Sequence, residues 1–583
     1  MTNDKLVKRI FNSFLFISIL SLITATAGAL VDGIVIGQML GQQSFSAFGL
    51  SSPLVILSAA IAGVFSNGGS ASCSIHMGRG DDHAVRLNFT VTCAGAFAAA
   101  VLLTAAMLLF SEQIAMLLGA EGSLVPLTAN YIRGLGVGMI PTVMTQVIMI
   151  YIRLNDGMHI SFLSVIVMTT VNIGLDIFFA MVLQLGMFGM GLATSISYLA
   201  AMLTCCTHFL RKSNIFKFTH SVKGGKEFAQ VIAMGIPSAL NRACITVRSI
   251  AFNRLLLVLG GSVAVSALAT QNNVNQIFSS ITMGVGMTAT MLAGIFFGER
   301  DDKMLEKTLR VSVRTGLMLS TICSVLVIIF AEPVVSIYIK DNAEALALAT
   351  RSLRFFCLSL PLSLICVVLI NFYQCTKNLF MANLICITHG LVFVLAIAFS
   401  LSPVMGTDAV WISFLCAEVL TLGVVAVMIR IKSGKWPVNW RNLSMPAKDL
   451  IVDSERILDL SLNGSMEQVM KLSARIHEFC SMYTNDHKKV GHLALCIEEM
   501  AGNIIQYGRK GTKPLTMDIR IIMEHDGISF RIRDDGIPFN PIQYDDEHQS
   551  AIGETMGIRL VRGIAKEFQY TNAIGMNNLL IKL

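Results

Sequence analysis

Long apolar stretches dominate the first three quarters of the chain. A helix needs about 20 apolar residues to cross the hydrocarbon core of a bilayer. Twelve runs reach that length, at 12–37, 45–76, 89–110, 124–152, 158–185, 190–210, 227–258, 263–297, 308–330, 344–374, 379–401 and 407–430. Past residue 450 the pattern changes. Residues 455–461 alternate as a strand does, and 464–483 and 486–507 carry helical periodicity. Residues 515–523 and 528–534 read as strands paired around Glu524–Gly527, 553–567 as a helix, and the terminal NNLLIKL as a strand. The pattern predicts an all-α polytopic membrane protein with 12 transmembrane helices, followed by an α/β sandwich.

Composition sharpens that division. Of 583 residues, 54% are hydrophobic and 14% charged, against about 25% charged in soluble proteins. A purely soluble enzyme is excluded. Residues 451–583 hold 18 acids and 15 bases, leaving 19 acids and 29 bases for residues 1–450. The tail therefore has the charge density of a soluble domain. Thirteen cysteines with no CxxC pair suggest no disulfide framework. The scattered histidines lack zinc-type spacing, so no structural metal is expected. Nothing points to nucleic acid as a partner.

Lys and Arg are retained on the cytoplasmic side of a membrane. They cluster in alternate loops: Lys5, Lys8 and Arg9; Arg79 and Arg86; Arg153; Arg211 to Lys226; Arg300, Lys303 and Lys307; Lys377; and Arg430, Lys432 and Lys435. The opposite loops hold little beyond Lys340. The expected localisation is a bacterial-type cytoplasmic membrane, multi-pass, with both termini and the tail cytoplasmic.

The membrane part repeats itself. MLGQQSFSAFGL, an apolar run and HMGRGDD span 39–82; VLGGSVAVSALA, an apolar run and FFGERDD span 258–302. Gly41 matches Gly260 and Gly78 matches Gly298. The basic segment 211–226 separates two six-helix halves, a design that places a substrate cavity between halves that rock against each other. Residues 1–215 are the first lobe, 216–432 the second, 433–452 a linker and 453–583 the soluble domain.

Three acids lie away from the ends of apolar runs: Asp32, Asp176 and Glu418. A charge in hydrocarbon costs at least ~2.5–3.5 kcal/mol, so each calls for a reason. Asn172 lies one turn from Asp176 on the same face, and Thr194 opens the sixth run. Asp32, Asn172, Asp176 and Thr194 all fall in the outer half of the first lobe. Such oxygens suit a hard cation, and two neighbouring carboxylates take up a proton readily. Glu418 is expected to pair with Arg242, Arg248 or Arg254.

LVDGIVIGQMLG, IRLNDGMHISF, VNIGLDIFF and GMFGMGLATSISY, in that order, with the region of Pro237, resemble the multidrug and toxic compound extrusion (MATE) family over about residues 8–432. The resemblance implies two six-helix lobes around a V-shaped cavity. It also implies export of small organic, often cationic or amphipathic, compounds driven by a Na⁺ or H⁺ gradient. One branch of that family has an Asp in the first helix, an Asn and Asp in the fifth and a Thr in the sixth. These match Asp32, Asn172, Asp176 and Thr194. A second branch has acids in helices 7 and 10, which this chain lacks.

Three motifs carry chemistry in the tail. EEMAGN puts Glu499 and Asn503 on one helix face; the carboxylate can accept a proton and the amide oxygen can hold Mg²⁺. RDDGIPFNP places Asp534 at a strand end, followed by the Gly536 turn, where it can accept a hydrogen bond from an adenine amine. GETMGIRLVRGIA puts Gly553 and Gly557 before a helix, whose N-terminal amides favour phosphate. In this order they resemble the GHKL ATP-binding family, closest to anti-sigma-factor serine kinases. The resemblance implies Mg-ATP as cofactor, Glu499 as catalytic base, Asn503 as Mg²⁺ ligand, Asp534 with Gly536 at adenine, and Gly553 with Gly557 in the ATP lid. Pro538 replaces a glycine found in many members. Two readings follow: a cation-coupled exporter with a regulatory ATP-binding domain, or a membrane-anchored serine/threonine protein kinase with a cytoplasmic phosphorylation target and the helices as its receptor. An ATP-driven pump is disfavoured, since no G-x-x-x-x-G-K-[ST] loop is present.

Overall fold

The computed structural model describes residues 5–211, 214–219, 224–339, 343–445, 456–508, 515–524, 527–547 and 552–583. Lys212, Lys223 and Lys340 of the loop-charge pattern, and linker residues 446–452, lie outside the described residues. Among those described, nine helices are long and apolar enough to cross a membrane, or ten if the bent pair Leu124–Val137 and Met139–Leu154 forms one span. Two of these stretches, Lys5–Arg79 and Gly224–Gly298, are 75 residues long. At 1.5 Å per residue a straight helix of that length would be about 110 Å, far beyond the ~30 Å hydrocarbon core. Each contains a break. The first passes through a π-helical turn, Ile36–Leu40, into Gly41 at φ 84°. The second breaks at Gly260 and Gly261, with Gly261 at φ 61°. Glycine reaches such positive φ without the Cβ penalty.

The sequence repeat recurs as geometry. Asp81 caps the helix Asp82–Leu109 by accepting from the Ala84 amide at 2.9 Å. Asp301 caps Asp302–Ile329 by accepting from the Met304 amide at 3.1 Å. The residues before these caps, Gly80 and Arg300, both take left-handed backbone, at φ 73° and 57°.

Close backbone approach joins the two halves at the end that carries the soluble domain. A Cβ on Gly78 would lie 2.0 Å from the Ile295 carbonyl oxygen, and one on Gly298 2.1 Å from that of Ile75. Further along the seam, Gly68 and Gly235 meet the backbone of Val231 and Val64 as closely. A buried apolar cluster runs through both halves here, including Cys73, Ile75, Met291, Ile295 and Phe372. A separate cluster around Phe252, Leu353, Trp411 and Phe414 belongs to the second half.

The soluble domain is a five-stranded antiparallel sheet in the order β1-β2-β3-β5-β4. Its strands are β1 Ile457–Leu462, β2 Met517–Met523, β3 Ile528–Asp534, β4 Glu567–Ala573 and β5 Met576–Lys582. Side chains alternate across a strand, so Ile519, Ile521, Phe530, Ile532 and Ile581 share one face. They pack with Ile476, Leu493 and Ile497 of the helices Leu472–Cys480 and His487–Tyr507. Asp518, Arg520, Arg531, Arg533 and Asn578 lie on the other face. The expected helix 464–483 is two pieces, Met466–Met470 and Leu472–Cys480. The helix expected over 553–567 ends at Ile564, and β4 follows.

Candidate cation and nucleotide sites

Helix contacts bring the membrane acids together. The space beside Gly28 is taken by Thr169, whose methyl carbon lies 3.3 Å from where a Cβ would be. The helix Lys5–Val35 therefore lies close against Met158–Met181. One turn past Gly28 stands Asp32; one and two turns past Thr169 stand Asn172 and Asp176. Asn172 and Asp176 are buried. Both oxygens of Asp176 and Oδ1 of Asp32 are shielded from solvent and, among the described residues, accept no hydrogen bond. The two carboxyl groups lie within hydrogen-bonding reach of each other when one carries a proton. The Asn172 amide nitrogen beside them is also unpartnered. Thr194 donates to the Met190 carbonyl at 3.2 Å and makes no bond to Asp176. Buried carboxylate oxygens are strongly unfavourable unless something donates to them. A proton shared between them or a hard cation satisfies them; among the described residues no other side chain donates to these oxygens.

Glu418 has a different environment. Its carboxylate is hydrogen-bonded to Nδ1 of His389 at 2.8 Å, a partner the sequence did not single out. Arg248, one of the expected partners, interacts with it electrostatically and stacks on Phe414 at 5.1 Å. Cys366 completes a set of donor atoms within 4.8 Å of one another. The Arg248 guanidinium already supplies Glu418 with countercharge and the His389 ring with a hydrogen-bond partner, so it has the character of a structural ion pair.

In the soluble domain Asp534 ends β3 and is buried. Its Oδ1 accepts from the Gly536 amide at 2.8 Å and from Nδ2 of Asn577 at 2.8 Å. Asn577 stands directly across the ladder on β5. A Cβ on Gly536 would meet the Gly508 carbonyl at 2.6 Å and Asp534 at 2.7 Å, so the turn requires glycine. Asp534 opens into a pocket lined also by Asn503, Ile504, Tyr507, Phe539 and Tyr570. The apolar and aromatic walls suit a flat base, and Asn503 brings the amide oxygen that Mg²⁺ accepts. The Tyr570 hydroxyl donates to Asn577 at 2.7 Å and accepts from the Phe539 amide at 3.1 Å. Burial first, and Asp534 second, push its phenol above the ordinary range, so it stays protonated as a donor.

Glu499 does not line this cavity. It lies one turn from Asn503 and fills the space beside Gly557, with Oε1 1.7 Å from where a Cβ would sit. Gly557 therefore serves helix–helix packing against the catalytic candidate. Gly553 and Gly557, expected from the sequence to precede a helix, instead lie within the helix Ile552–Ile564. Asn577 and Tyr570 were not foreseen, because only the strand register places Asn577 opposite Asp534 and only β4 brings Tyr570 to Asn577.

A family model for MatE matches residues 18–178 and 237–400, and one for a histidine kinase-like ATPase domain matches 462–582. Multidrug export protein MepA of Staphylococcus saprophyticus is 25% identical over 397 residues, covering 68% of this chain and 86% of its own length. Probable multidrug resistance protein YoeA of Bacillus subtilis is 25% identical over 365 residues, covering 60% and 76%. Among solved structures, an outward-facing multidrug resistance MATE family transporter of the MOP superfamily aligns with TM-score 0.69 at 20% identity, covering 73% of this chain and 96% of that one. A MOP superfamily transporter from Pyrococcus furiosus aligns with TM-score 0.67 at 19% identity, covering 72% and 94%.

Proposed function

The chain belongs to the MatE family and carries a histidine kinase-like ATPase domain, and from that membership we propose a cation-coupled exporter whose ATP-binding domain regulates it. The cargo is a small organic compound, cationic or amphipathic, in keeping with relatives named for multidrug export. The observation that carries the coupling is the Asp32–Asp176 pair, whose buried oxygens lack a donor among the described residues. Na⁺ or H⁺ would fill that lack, and its arrival and departure would set which side of the membrane the cavity faces. Dividing each 75-residue helix at its glycine break raises the ten spans to twelve, consistent with two six-helix lobes at 1–215 and 216–432. The basic loops put the domain-bearing end in the cytoplasm.

In the tail, Mg-ATP would bind with its base against Asp534 and Gly536 and its Mg²⁺ on Asn503. Glu499 would act as base, and the segment with Gly553 and Gly557 would cover the phosphates. The pocket around Asp534 supports this reading. Transport is tested in proteoliposomes carrying the full chain, with a Na⁺ or H⁺ gradient and with or without Mg-ATP. Efflux should follow one of the gradients. Efflux driven by ATP without a gradient would overturn the reading.

A further inference from the structure

The open face of the soluble domain's sheet poses a physical problem that its partner answers. Cross-strand register puts Arg520 beside Arg531, and Asp518 beside Arg533, which in turn faces Asn578. Three neighbouring guanidiniums on a sheet normally face water. Here Arg520 and Arg533 are only 4% and 2% exposed. Burying such charges is costly unless carboxylates match them.

The match comes from the membrane part. Arg533 pairs with Glu299 and, at 2.8 Å, with Asp301. Arg520 reaches Asp301 at 2.5 Å, and the Asn578 amide donates to Glu299 at 2.6 Å. Arg531 bridges the seam between the halves. One of its nitrogens donates to the Gly78 carbonyl of the first half and to Glu299 of the second, both at 3.3 Å. The repeat explains the choice of loop: where the second half has Glu299, the first has Arg79, so only one loop offers both acids. Additional contacts fasten the domain on both sides of the seam. Lys303 of the second half pairs with Asp459 at 2.8 Å. In the first half Arg9 pairs with Asp535 at 2.5 Å, and the Leu154 carbonyl accepts from the Ile574 amide at 3.0 Å.

The same strand serves the nucleotide pocket. Arg533 and Asp534 are consecutive, so β3 turns one toward the transporter and the other toward the cavity. Asp535, next along, holds Arg9. A nucleotide that moves the Asp534–Gly536 turn therefore pulls on the docked contacts directly.

We propose that the Arg520–Arg531–Arg533 face is an intramolecular clamp that docks on Glu299, Asp301 and Gly78, holds the two halves closed at the domain-bearing end, and is adjusted by Mg-ATP in the Asp534 pocket. Its effect on transport rests on the exporter reading; its docking does not. Opening the domain-bearing end requires Gly78 and Gly298 to part, and the clamp spans that seam. The docked domain is therefore a brake on the cycle.

The test uses the full chain in nanodiscs and proteoliposomes. Spin labels on unnatural amino acids at His83 and Lys471 report the distance between membrane part and domain. Glu299→Gln with Asp301→Asn keeps side-chain size and the helix cap while removing both charges. Arg531→Gln removes the seam-spanning guanidinium, and decides the matter should the double variant fail to fold. Docked population should fall at least tenfold in the double variant, and efflux under an unchanged gradient should rise severalfold in both. Saturating Mg-ATP should shift the docked fraction of the unaltered chain, and Asp534→Ala should abolish that shift. An unchanged distance in both variants overturns the clamp. So does release of the domain with efflux at the unaltered rate, and a docked fraction indifferent to Mg-ATP overturns the nucleotide link. Absence of efflux from the unaltered chain under every gradient would count against the exporter reading instead, while the distances still decide docking.

Discussion

Asp176 shows how a single side chain constrains function. Its two oxygens are buried beside a second carboxyl and, among the described residues, no other group donates to them. A structural role would be better met by partners, as Glu418 is by His389. Asp32→Asn and Asp176→Asn should therefore each abolish gradient-driven efflux while the protein still inserts and elutes as a folded species. Near-normal transport in vesicles by both variants would remove the cation-site assignment. The Asp534 pocket allows a parallel experiment. If Asp534 holds the adenine amine as proposed, Asp534→Ala should remove its acceptor, at about 1–3 kcal/mol, and weaken ATP binding roughly tenfold or more. Glu499→Ala removes no group from the cavity wall, so affinity should be kept and turnover lost. Titration calorimetry and phosphate release on the full chain separate the two. These acids were legible in the sequence because a charge inside an apolar run, or at a strand end before glycine, stands out. His389, Tyr570 and Asn577 were not, because their roles depend on neighbours from other elements.

Among elements, the gaps between apolar runs at 38–44 and 259–262 coincide with the breaks at Gly41 and at Gly260–Gly261, where glycine lets the backbone leave the helix. The seam depends on glycine in the same way. Gly298→Val would place a Cβ about 2.1 Å from the Ile75 carbonyl oxygen, so the helices must separate. Overpacking of this kind costs about 1–3 kcal/mol. The expected outcomes are a lower midpoint of thermal unfolding and faster maleimide labelling of Cys73, which is fully buried beside the seam. Unchanged labelling and unfolding would mean that the two helices do not meet there. Sequence reading missed β4 because Gln569, Tyr570, Thr571 and Asn572 give no alternation of apolar and polar positions. It found β2 and β3 from their alternation. That alternation also contained Arg520, Arg531 and Arg533, yet only the register turns three separate arginines into one face.

For the whole molecule, the central question is whether two sources of free energy drive one cycle or one source drives it and the other sets its rate. The docking contacts have their own pH signature. Burial alone would raise the Asp301 carboxyl, but the Arg533 and Arg520 guanidiniums outweigh it and hold the group down, from 3.8 to about 2. A depressed acid contributes its full stabilisation above its undocked value and loses it as pH falls through the docked one. The docked distance should thus persist from neutral pH to about 3.8 and be lost as pH falls toward about 2; release already at pH 5 to 6 would mean that Asp301 is not the anchor. The nucleotide pocket lies across β3 from this interface and away from Asp32 and Asp176, and the chain has a single such domain. An arrangement of that kind can bias a conformational equilibrium without being consumed in each turnover. With an ion gradient already imposed, export should continue in Glu499→Ala, and Mg-ATP should still change its rate by binding alone. Strict loss of export in that variant under a full gradient would show that hydrolysis powers the cycle, and would replace regulation with a pump.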